Sequence, residues 1–310
     1  MNILFLVVGL VALLLGGEWL LRASVAAAAR WHVPKVIIGM TIVSFATSLP
    51  ELMTSIRAAL DGYPDLSLGN VVGSNIANLG FVLGTVLLFG PIVVQKSFYK
   101  FDLPVVFTVS VLLLLLLLDG RISQAEGVLL VLVLVVVMTY LIKYQPPVVA
   151  GTTPSDVEIK TWWWIVTFAT LGTLGLAFGS QWLVKGAVGL ARAYEVSERI
   201  IGVTLVSIGT SLPELVASGL AMYRKEQGIS IGNLIGSNLF NILTVLGITA
   251  VIHPLQVIDA RLMQFDIWVM LGFAFLLLPL VFLPKRMTFS WREGLILLIC
   301  YVAYLGITLA

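Results

Sequence analysis

Long apolar runs, separated by short charged or glycine- and proline-containing breaks, recur along the whole chain. A helix needs about 20 apolar residues to cross the hydrocarbon core of a bilayer, and ten segments satisfy this requirement. The pattern therefore predicts an all-α membrane protein with ten transmembrane helices. The segments are 2–30, 35–60, 66–91, 101–118, 125–143, 161–193, 199–223, 228–252, 264–283 and 289–309.

One longer hydrophilic stretch divides these spans into two groups of five. We predict a first five-span repeat at 1–143, a connector at 144–160 and a second, inverted five-span repeat at 161–310. If both termini lie outside, twelve Lys and Arg residues fall on the inner side of the membrane and six on the outer side. Because positive charge favours the cytoplasmic side, we predict that the N- and C-termini lie outside and that the connector is cytoplasmic.

The composition supports a membrane protein, because 59% of the residues are apolar and only 11% are charged. Soluble domains carry about 25% charged residues. The net charge is +2 and the basic residues are scattered, so no nucleic-acid partner is expected. We expect membrane lipid and small inorganic cations as partners, with no cofactor and no obligatory protein partner. The single cysteine excludes a disulfide within the chain.

The two halves share an internal repeat, because a shift of 163 residues places the second span on the seventh. Over positions 37–91 and their counterparts, 25 of 55 residues are identical without a gap. Most informative are the polar, glycine and proline matches: Thr47–Leu52 recurs as Thr210–Leu215, and Gly73–Asn75 as Gly236–Asn238. Five spans per half is an odd number, so the second copy enters the membrane in the opposite orientation. Inverted repeats are typical of secondary transporters, whose substrate sites lie near the midplane.

Glu51 and Glu214 are predicted near the middle of their spans. A charged side chain there costs at least about 2.5–3.5 kcal/mol on insertion scales, and the matched span cores contain no Lys, Arg or His to neutralise it. A protonated glutamate with a purely structural hydrogen bond would explain one such residue. Its duplication with the same polar neighbours favours a site that binds a cation.

Polar residues surround each glutamate at helical spacing, since residues three or four apart share a helix face. Their side chains offer only oxygen ligands, which suit hard cations such as Ca²⁺ or Na⁺ and argue against zinc or copper. In the first half these residues are Ser44, Thr47, Ser48, Ser55, Asn70, Ser74 and Asn78, and in the second half Ser207, Thr210, Ser211, Ser218, Asn233, Ser237 and Asn241.

Pro50 and Pro213 lack the amide hydrogen that would bond the carbonyl four residues earlier. The carbonyls of Ala46 and Gly209 are therefore predicted to lose their helical partners, and a cation could replace the missing donor. Unsatisfied backbone inside a membrane is tolerated where it lines a cavity or is buried in protein. The alternative is a kink that serves packing alone.

Three further features are predicted to be structural. The glycines of the Gly-Asn and Gly-Ser-Asn motifs should let helices approach closely. Asn75 and Asn238 point away from the ligand face and should form hydrogen bonds between helices. Glu18 lies close to Arg22 in sequence, which favours a helix-end salt bridge or polar contact.

At these motifs the chain resembles the cation/Ca²⁺ exchanger superfamily, and within it the Na⁺/Ca²⁺ exchanger branch of the prokaryotic type. The signature of that branch, G-T-S-L-P-E followed by G-N-x-x-G-S-N, stands at Ala46–Glu51 with Gly69–Asn75, and at Gly209–Glu214 with Gly232–Asn238. The resemblance covers both repeats and, through the ten-span plan, the whole chain. It implies a core of spans two, three, seven and eight, across which spans one and six slide.

The resemblance also implies a Ca²⁺ site between the two glutamates, flanked by Na⁺ sites. The ion ligands of the family correspond here to Ser44, Thr47, Ser48, Glu51, Ser74, Asn78, Ser207, Thr210, Ser211, Glu214, Ser237 and Asn241.

Two positions depart from related patterns. Ala46 replaces the glycine of the signature, a small change. K⁺-dependent members and some microbial ones carry Asp where this chain has Asn241, so the resemblance implies the K⁺-independent type. The G-N-A-x-E motif of the H⁺/Ca²⁺ branch is absent from the sequence, which makes H⁺ coupling the second candidate.

We therefore expect a secondary active antiporter that exchanges Ca²⁺ for Na⁺ in the plasma (inner) membrane of a prokaryote. It should be K⁺-independent and electrogenic, with H⁺/Ca²⁺ or other divalent-cation antiport as the alternative. An enzyme is not expected, because an intramembrane phosphatase would need cationic groups to stabilise phosphoryl charge. Tight, glycine-rich cores centred on glutamate argue against a passive channel.

Overall fold

The computed structural model describes residues 1–144, 160–194, 207–283 and 287–309. Its helices, some of which include a π or 3₁₀ turn, are α1 Asn2–Trp31, α2 Lys35–Thr47, α3 Leu49–Leu60, α4 Pro64–Val86, α5 Phe98–Asp119, α6 Gln124–Tyr144, α7 Trp162–Ala193, α8 Ser207–Thr210, α9 Leu212–Tyr223, α10 Gln227–Ile252, α11 Leu262–Leu280 and α12 Trp291–Leu309. Four two-residue strands connect them: β1 Ile92–Val93, β2 Arg121–Ile122, β3 Leu255–Gln256 and β4 Thr288–Phe289.

The described helices confirm an all-α membrane protein. Eight of them are long and apolar enough to cross a bilayer, and the bent pair α2 and α3 would make a ninth span. The seventh predicted span includes 199–206, which lies outside the described residues, as do 145–159 of the predicted connector. The count of ten therefore stays a prediction.

The strand pairs establish that the two halves run in opposite directions. β1 pairs with β4, and β2 pairs with β3. β1 and β2 lie at opposite ends of α5, whose 22 residues span about 33 Å at about 1.5 Å per residue. β3 is the counterpart of β1 under the 163-residue shift, yet it pairs with β2 at the opposite face. Equivalent segments thus lie on opposite faces, as an inverted repeat requires.

The core of the bundle consists of α4 and α10, which have 72% and 83% of their apolar windows buried, against 28% for α1 and for α7. Close approach of α10 to α2 depends on Gly232 and Gly236. A Cβ on Gly236 would press on Ser44 Oγ and lie 2.6 Å from Met40 Cα. The packing role predicted for these two glycines is confirmed, but at Gly69 and Gly73 an added Cβ would meet no described atom within 4 Å, so the prediction is not confirmed there.

α1 and α7 form a pair of long helices in close backbone contact. A Cβ at Gly16 would lie 2.6 Å from the amide nitrogen of Leu176, and one at Gly172 would lie 2.6 Å from that of Leu20. Such contacts require glycine on both helices, as in other small-residue interfaces inside membranes. The pair packs against the core mainly through α9 and α2.

Both proline-containing spans break immediately before their glutamate. α2 ends at Thr47, α3 begins at Leu49, and the two axes are bent by 42°. The same break separates α8 from α9 at Ser211. Because Pro50 and Pro213 occupy the first turn of the new helix, where a missing amide hydrogen costs nothing, each proline starts a helix.

Candidate cation site

Glu51 and Glu214 lie in the first turns of α3 and α9, where the helix dipole favours a negative charge. Both side chains are fully buried, and their charges are close enough to interact. No described donor meets both the distance and the angle of a hydrogen bond at any of their four carboxylate oxygens, although the Thr47 hydroxyl lies beside the Glu214 carboxylate. No ion pair of the described residues includes either glutamate.

The sequence around each glutamate has the form of a helix capping box, with serine at the cap and glutamate three residues later. Ser48 and Ser211 occupy the cap positions, but neither side chain makes a capping hydrogen bond. Their hydroxyl groups are buried and, among the described residues, without a partner. These serines and glutamates are therefore free to direct their oxygens at a ligand.

Seven of the twelve predicted site residues carry a buried side-chain oxygen that accepts or donates no hydrogen bond within the described ranges. They are Ser48, Glu51, Ser74 and Asn78 from the first half, and Ser211, Glu214 and Asn241 from the second. Buried polar groups are nearly always partnered in folded proteins. Five such residues together with the two carboxylates therefore have the donor set of a cation site.

Three other predicted residues are held in a hydrogen-bond network between the halves. The Thr47 hydroxyl lies 3.2 Å from Asn233 Oδ1 and 3.2 Å from Ser237 Oγ. Ser44 Oγ lies 2.9 Å from the Asn233 carbonyl and 2.8 Å from that of Gly39. A hydroxyl that donates its hydrogen keeps lone pairs that can face a cation, so these bonds fix Thr47, Ser44 and Ser237 without removing them as candidates.

The second half differs at the equivalent threonine. Thr210 is partly exposed and lines a cavity of about 480 Å³ with Pro50 and Ser180, whereas Thr47 is fully buried. Ser207 begins α8, but its side chain lies outside the described residues. The cavity includes Asn2 in its lining, so it opens toward the face of the membrane where α1 begins.

The Gly209 carbonyl was predicted to lose its helical partner and to be open to a cation, but another part of the protein supplies a donor to it. Ser180 of α7 donates a hydrogen bond of 2.6 Å to this carbonyl oxygen. The counterpart of Ser180 in the first half is Gly17, which has no side chain to offer. The mismatch between Gly17 and Ser180 is visible when the two repeats are aligned. The sequence alone does not show, however, that α7 reaches the break before α9.

Asparagines in the two core helices connect the candidate site to its surroundings. Asn70 Nδ2 donates to Ser55 Oγ at 3.0 Å and to the Glu51 carbonyl at 3.3 Å. Asn233 Nδ2 donates to Ser218 Oγ at 2.9 Å. In both halves, therefore, the asparagine and the serine that follows the glutamate by four residues bond each other, and they hold each core pair together.

Sequence reasoning missed Ser67 and Ser230, which are counterparts under the repeat. Both are fully buried, and neither hydroxyl has a partner in the described part of the protein. They precede Asn70 and Asn233 by three residues and so extend the polar face of α4 and α10 by one turn. Their identity at the 163-residue shift was the available signal.

Glu18 makes the polar contact that the sequence predicted. Its Oε1 lies 2.8 Å from Arg22 Nε and 2.9 Å from Arg224 Nη2. The second contact joins α1 to the loop after α9, which sequence spacing could not predict. These residues line a cavity of about 640 Å³ together with Lys160 and Glu226.

Asn75 forms the predicted hydrogen bond between helices, whereas the side chain of Asn238 does not. Asn75 donates to the carbonyl of Asn238 in α10 at 3.4 Å, which is a bond between helices. The side chain of Asn238 instead donates to the Leu234 carbonyl of its own helix at 2.7 Å. The two halves therefore use the same residue differently.

Comparison with known proteins agrees with this architecture. A family model described as sodium/calcium exchanger protein matches residues 1–143 and 163–310. The putative antiporter CaxA of Alkalimonas amylolytica is 37% identical to the chain over 97% of its length and 96% of the relative's. The sodium/calcium exchanger MaX1 of Methanosarcina acetivorans is 28% identical over 98% of the chain and 97% of the relative.

A solved structure of the sodium-calcium exchanger NCX_Mj has a TM-score of 0.83 and 29% identity, covering 98% of this chain and 97% of that one. The shared fold and the family match identify an integral membrane transporter for cation/Ca²⁺ antiport, which is not an enzyme class. The chain belongs to the sodium/calcium exchanger family.

Proposed function

We propose that this protein exchanges Ca²⁺ for Na⁺ at a site formed by Glu51, Glu214 and the surrounding serine, threonine and asparagine oxygens. The observation that carries this proposal is the burial of two repeat-related glutamates whose four oxygens lack a well-aligned hydrogen-bond donor among the described residues. Isolated charges in such a place are costly. A divalent cation balances the pair, and neutral oxygens complete its ligand shell.

Charge balance supports electrogenic exchange. Two carboxylates supply a charge of −2, which one Ca²⁺ neutralises. At the three Na⁺ per cycle typical of the family resembled by the sequence, the loaded site carries a charge of +1. Asn78 and Asn241 supply oxygen but no further charge. An inside-negative potential, worth about 2.3 kcal/mol per charge per 100 mV, would then favour Na⁺ entry and Ca²⁺ exit.

The same balance supports independence of K⁺. An additional carboxylate at position 241 would raise the site to −3, and a further monovalent cation could then be accommodated. Asn241 withholds this charge. The sodium/calcium names of MaX1 and NCX_Mj agree with a K⁺-independent cycle, although bovine sodium/potassium/calcium exchanger 1 is also a relative, at 31% identity over 33% of the chain.

The position of Thr210 supports access from the face where α1 begins. Thr210 lines the cavity at that face, whereas its counterpart Thr47 is enclosed by α10. With the N-terminus outside, as the distribution of Lys and Arg favours, this cavity is the extracellular approach to the site. The cavity near Glu18 would then lie on the cytoplasmic side.

Antiport of Ca²⁺ against H⁺ is the second candidate. Buried carboxylates without a bound cation can take up protons, so Glu51 and Glu214 could carry H⁺ in the return step. No sequence motif of the H⁺-coupled branch supports it, and the relatives named above refer to sodium.

The decisive experiment is uptake of radiolabelled Ca²⁺ into proteoliposomes containing the purified protein. An outward Na⁺ gradient should drive uptake at constant pH, and an outward H⁺ gradient without Na⁺ should not. Uptake that follows the H⁺ gradient and ignores Na⁺ would replace the first candidate with the second. Protein-free liposomes and liposomes with an ionophore that collapses the gradient are the controls.

A further inference from the structure

The two core helices exchange a side-chain hydrogen bond next to the candidate site. Asn241 begins a π-helical turn in α10, at Asn241–Leu246, and its Nδ2 donates to Asn75 Oδ1 of α4 at 3.1 Å. Both residues are buried. Asn241 Oδ1 is buried too, and no described residue donates to it.

The orientation of the Asn75 amide is fixed by its other neighbours. Its Nδ2 faces the Asn238 carbonyl at 3.4 Å and the Met270 sulfur at 3.7 Å. A carbonyl and a thioether can only accept a hydrogen bond. The nitrogen of Asn75 must therefore face them, and its oxygen must face Asn241.

This arrangement in turn fixes the orientation of the Asn241 amide. Because Asn75 presents an acceptor, Asn241 must turn its Nδ2 toward it, and Oδ1 is left on the other side. A reversed Asn241 amide would place two oxygens against each other and leave a buried amide nitrogen unpaired, which is costly. The oxygen of Asn241 is thus preset, before any cation arrives.

We propose that Asn75 is a positioning residue that holds the Asn241 side-chain oxygen toward the transported cations. The proposal rests on the proposed function, in that it takes Asn241 as a cation ligand. The first half has no equivalent device among the described residues. Asn238, the counterpart of Asn75, bonds its own helix, and both polar atoms of the Asn78 side chain are without a described partner. One of the two site amides is therefore fixed and the other is adaptable.

The test compares Asn75→Leu with the matched control Asn238→Leu. Leucine is close to asparagine in size and cannot orient Asn241. Binding is measured on purified protein as thermal stabilisation by Ca²⁺ and, separately, by Na⁺. Asn75→Leu should raise the half-saturating cation concentration by about tenfold or more, as expected when a buried ligand loses its orienting hydrogen bond. Asn238→Leu should change it by less than about threefold, because the hydrogen bond of that side chain goes to the Leu234 carbonyl of its own helix and not to a predicted ligand.

A double-mutant cycle separates positioning from general damage. In Asn241→Asp both side-chain oxygens are acceptors, so either orientation presents an oxygen to the cation. Adding Asn75→Leu to this variant should therefore weaken binding by less than about threefold. If Asn75→Leu does not fold, Asn75→Ser replaces it, since serine is too short to reach Asn241.

Equal losses from Asn75→Leu in the wild-type and Asn241→Asp backgrounds, or no loss in the wild-type background, would overturn the proposal. Ca²⁺ flux of the wild-type protein is measured in parallel. If the wild-type protein shows no Na⁺-dependent Ca²⁺ flux, the proposed function is refuted. The double-mutant cycle of cation binding would still decide whether Asn75 orients a cation ligand.

Discussion

Replacing either central glutamate by glutamine removes one charge from the candidate site and preserves its shape. Glu51→Gln and Glu214→Gln each leave a single carboxylate to face a divalent ion. The introduced amide also places donors where the wild-type protein has four oxygens without a described partner. We expect Ca²⁺ exchange to be lost in both variants, while the protein still folds, because a neutral side chain costs less to bury than a charged one.

The size of the effect follows from burial. Removing one partner from a fully buried charge pair costs about 3–5 kcal/mol. At about 1.4 kcal/mol per factor of ten, Ca²⁺ binding should weaken by roughly two to three and a half orders of magnitude. Both glutamates are fully buried, so solvent screening should not reduce this figure much.

The assay is thermal unfolding of purified protein over a Ca²⁺ titration, together with uptake into proteoliposomes. A ligand at about 100 times its Kd stabilises a protein by about 2.7 kcal/mol. The wild-type protein should show this shift, and the two variants should not show it at the same Ca²⁺ concentration. Without Ca²⁺ the variants should unfold at a temperature no lower than that of the wild-type protein.

Glu293→Gln is the matched control. Glu293 is also buried, but its Oε2 accepts hydrogen bonds of 2.6 and 2.7 Å from the backbone and hydroxyl of Ser290. Its loss should lower stability by about 0.5–2 kcal/mol, as for other helix caps, and leave half-saturation by Ca²⁺ unchanged. Near-normal Ca²⁺ affinity in Glu51→Gln or Glu214→Gln, or an equal loss in Glu293→Gln, would refute the reasoning.

Three other outcomes are expected. Replacing K⁺ by choline should leave Na⁺-driven Ca²⁺ flux unchanged, and collapse of the flux would contradict the role given to Asn241. In vesicles clamped with valinomycin and K⁺ gradients, the equilibrium Ca²⁺ distribution should shift with voltage, and a distribution independent of voltage would indicate two Na⁺ per Ca²⁺. Gly236→Ala should lower thermal stability and transport, because its Cβ would lie 2.6 Å from Met40 Cα, whereas Gly219→Ala, with no described atom near its Cβ, should do neither.

The sequence alone was sufficient to predict the class of fold and the correspondence between the two halves of the chain. Long apolar runs and the identical Thr-Ser-Leu-Pro-Glu-Leu segments predicted helices, a break at each proline and two buried glutamates. These features are local, or follow from counting spans, so no knowledge of packing was needed. The position of Glu51 one turn after the break follows from Pro50 alone.

Contacts between distant segments could not be predicted in the same way. The bond from Ser180 to the Gly209 carbonyl depends on how far α7 reaches toward the core. The different burial of Thr47 and Thr210 arises although their sequence neighbourhoods are nearly identical. Repeated sequence predicts repeated chemistry, but two halves in one asymmetric conformation must place the same residues in different surroundings.

The burial of two carboxylates without a basic partner also accounts for exchange in preference to leak. If each uncompensated charge costs about 2.5–3.5 kcal/mol in the membrane, an empty and fully charged site costs roughly 5–7 kcal/mol. A conformation closed to both sides would then be disfavoured by about four to five orders of magnitude unless cations neutralise the pair. The proposed site would cross that conformation readily with Ca²⁺ or with Na⁺ bound, and only rarely when empty. On this proposal, coupling of the two fluxes would follow from the absence of Lys, Arg and His from the matched span cores. A fixed positive charge introduced beside Glu51 or Glu214 would remove the physical reason for it.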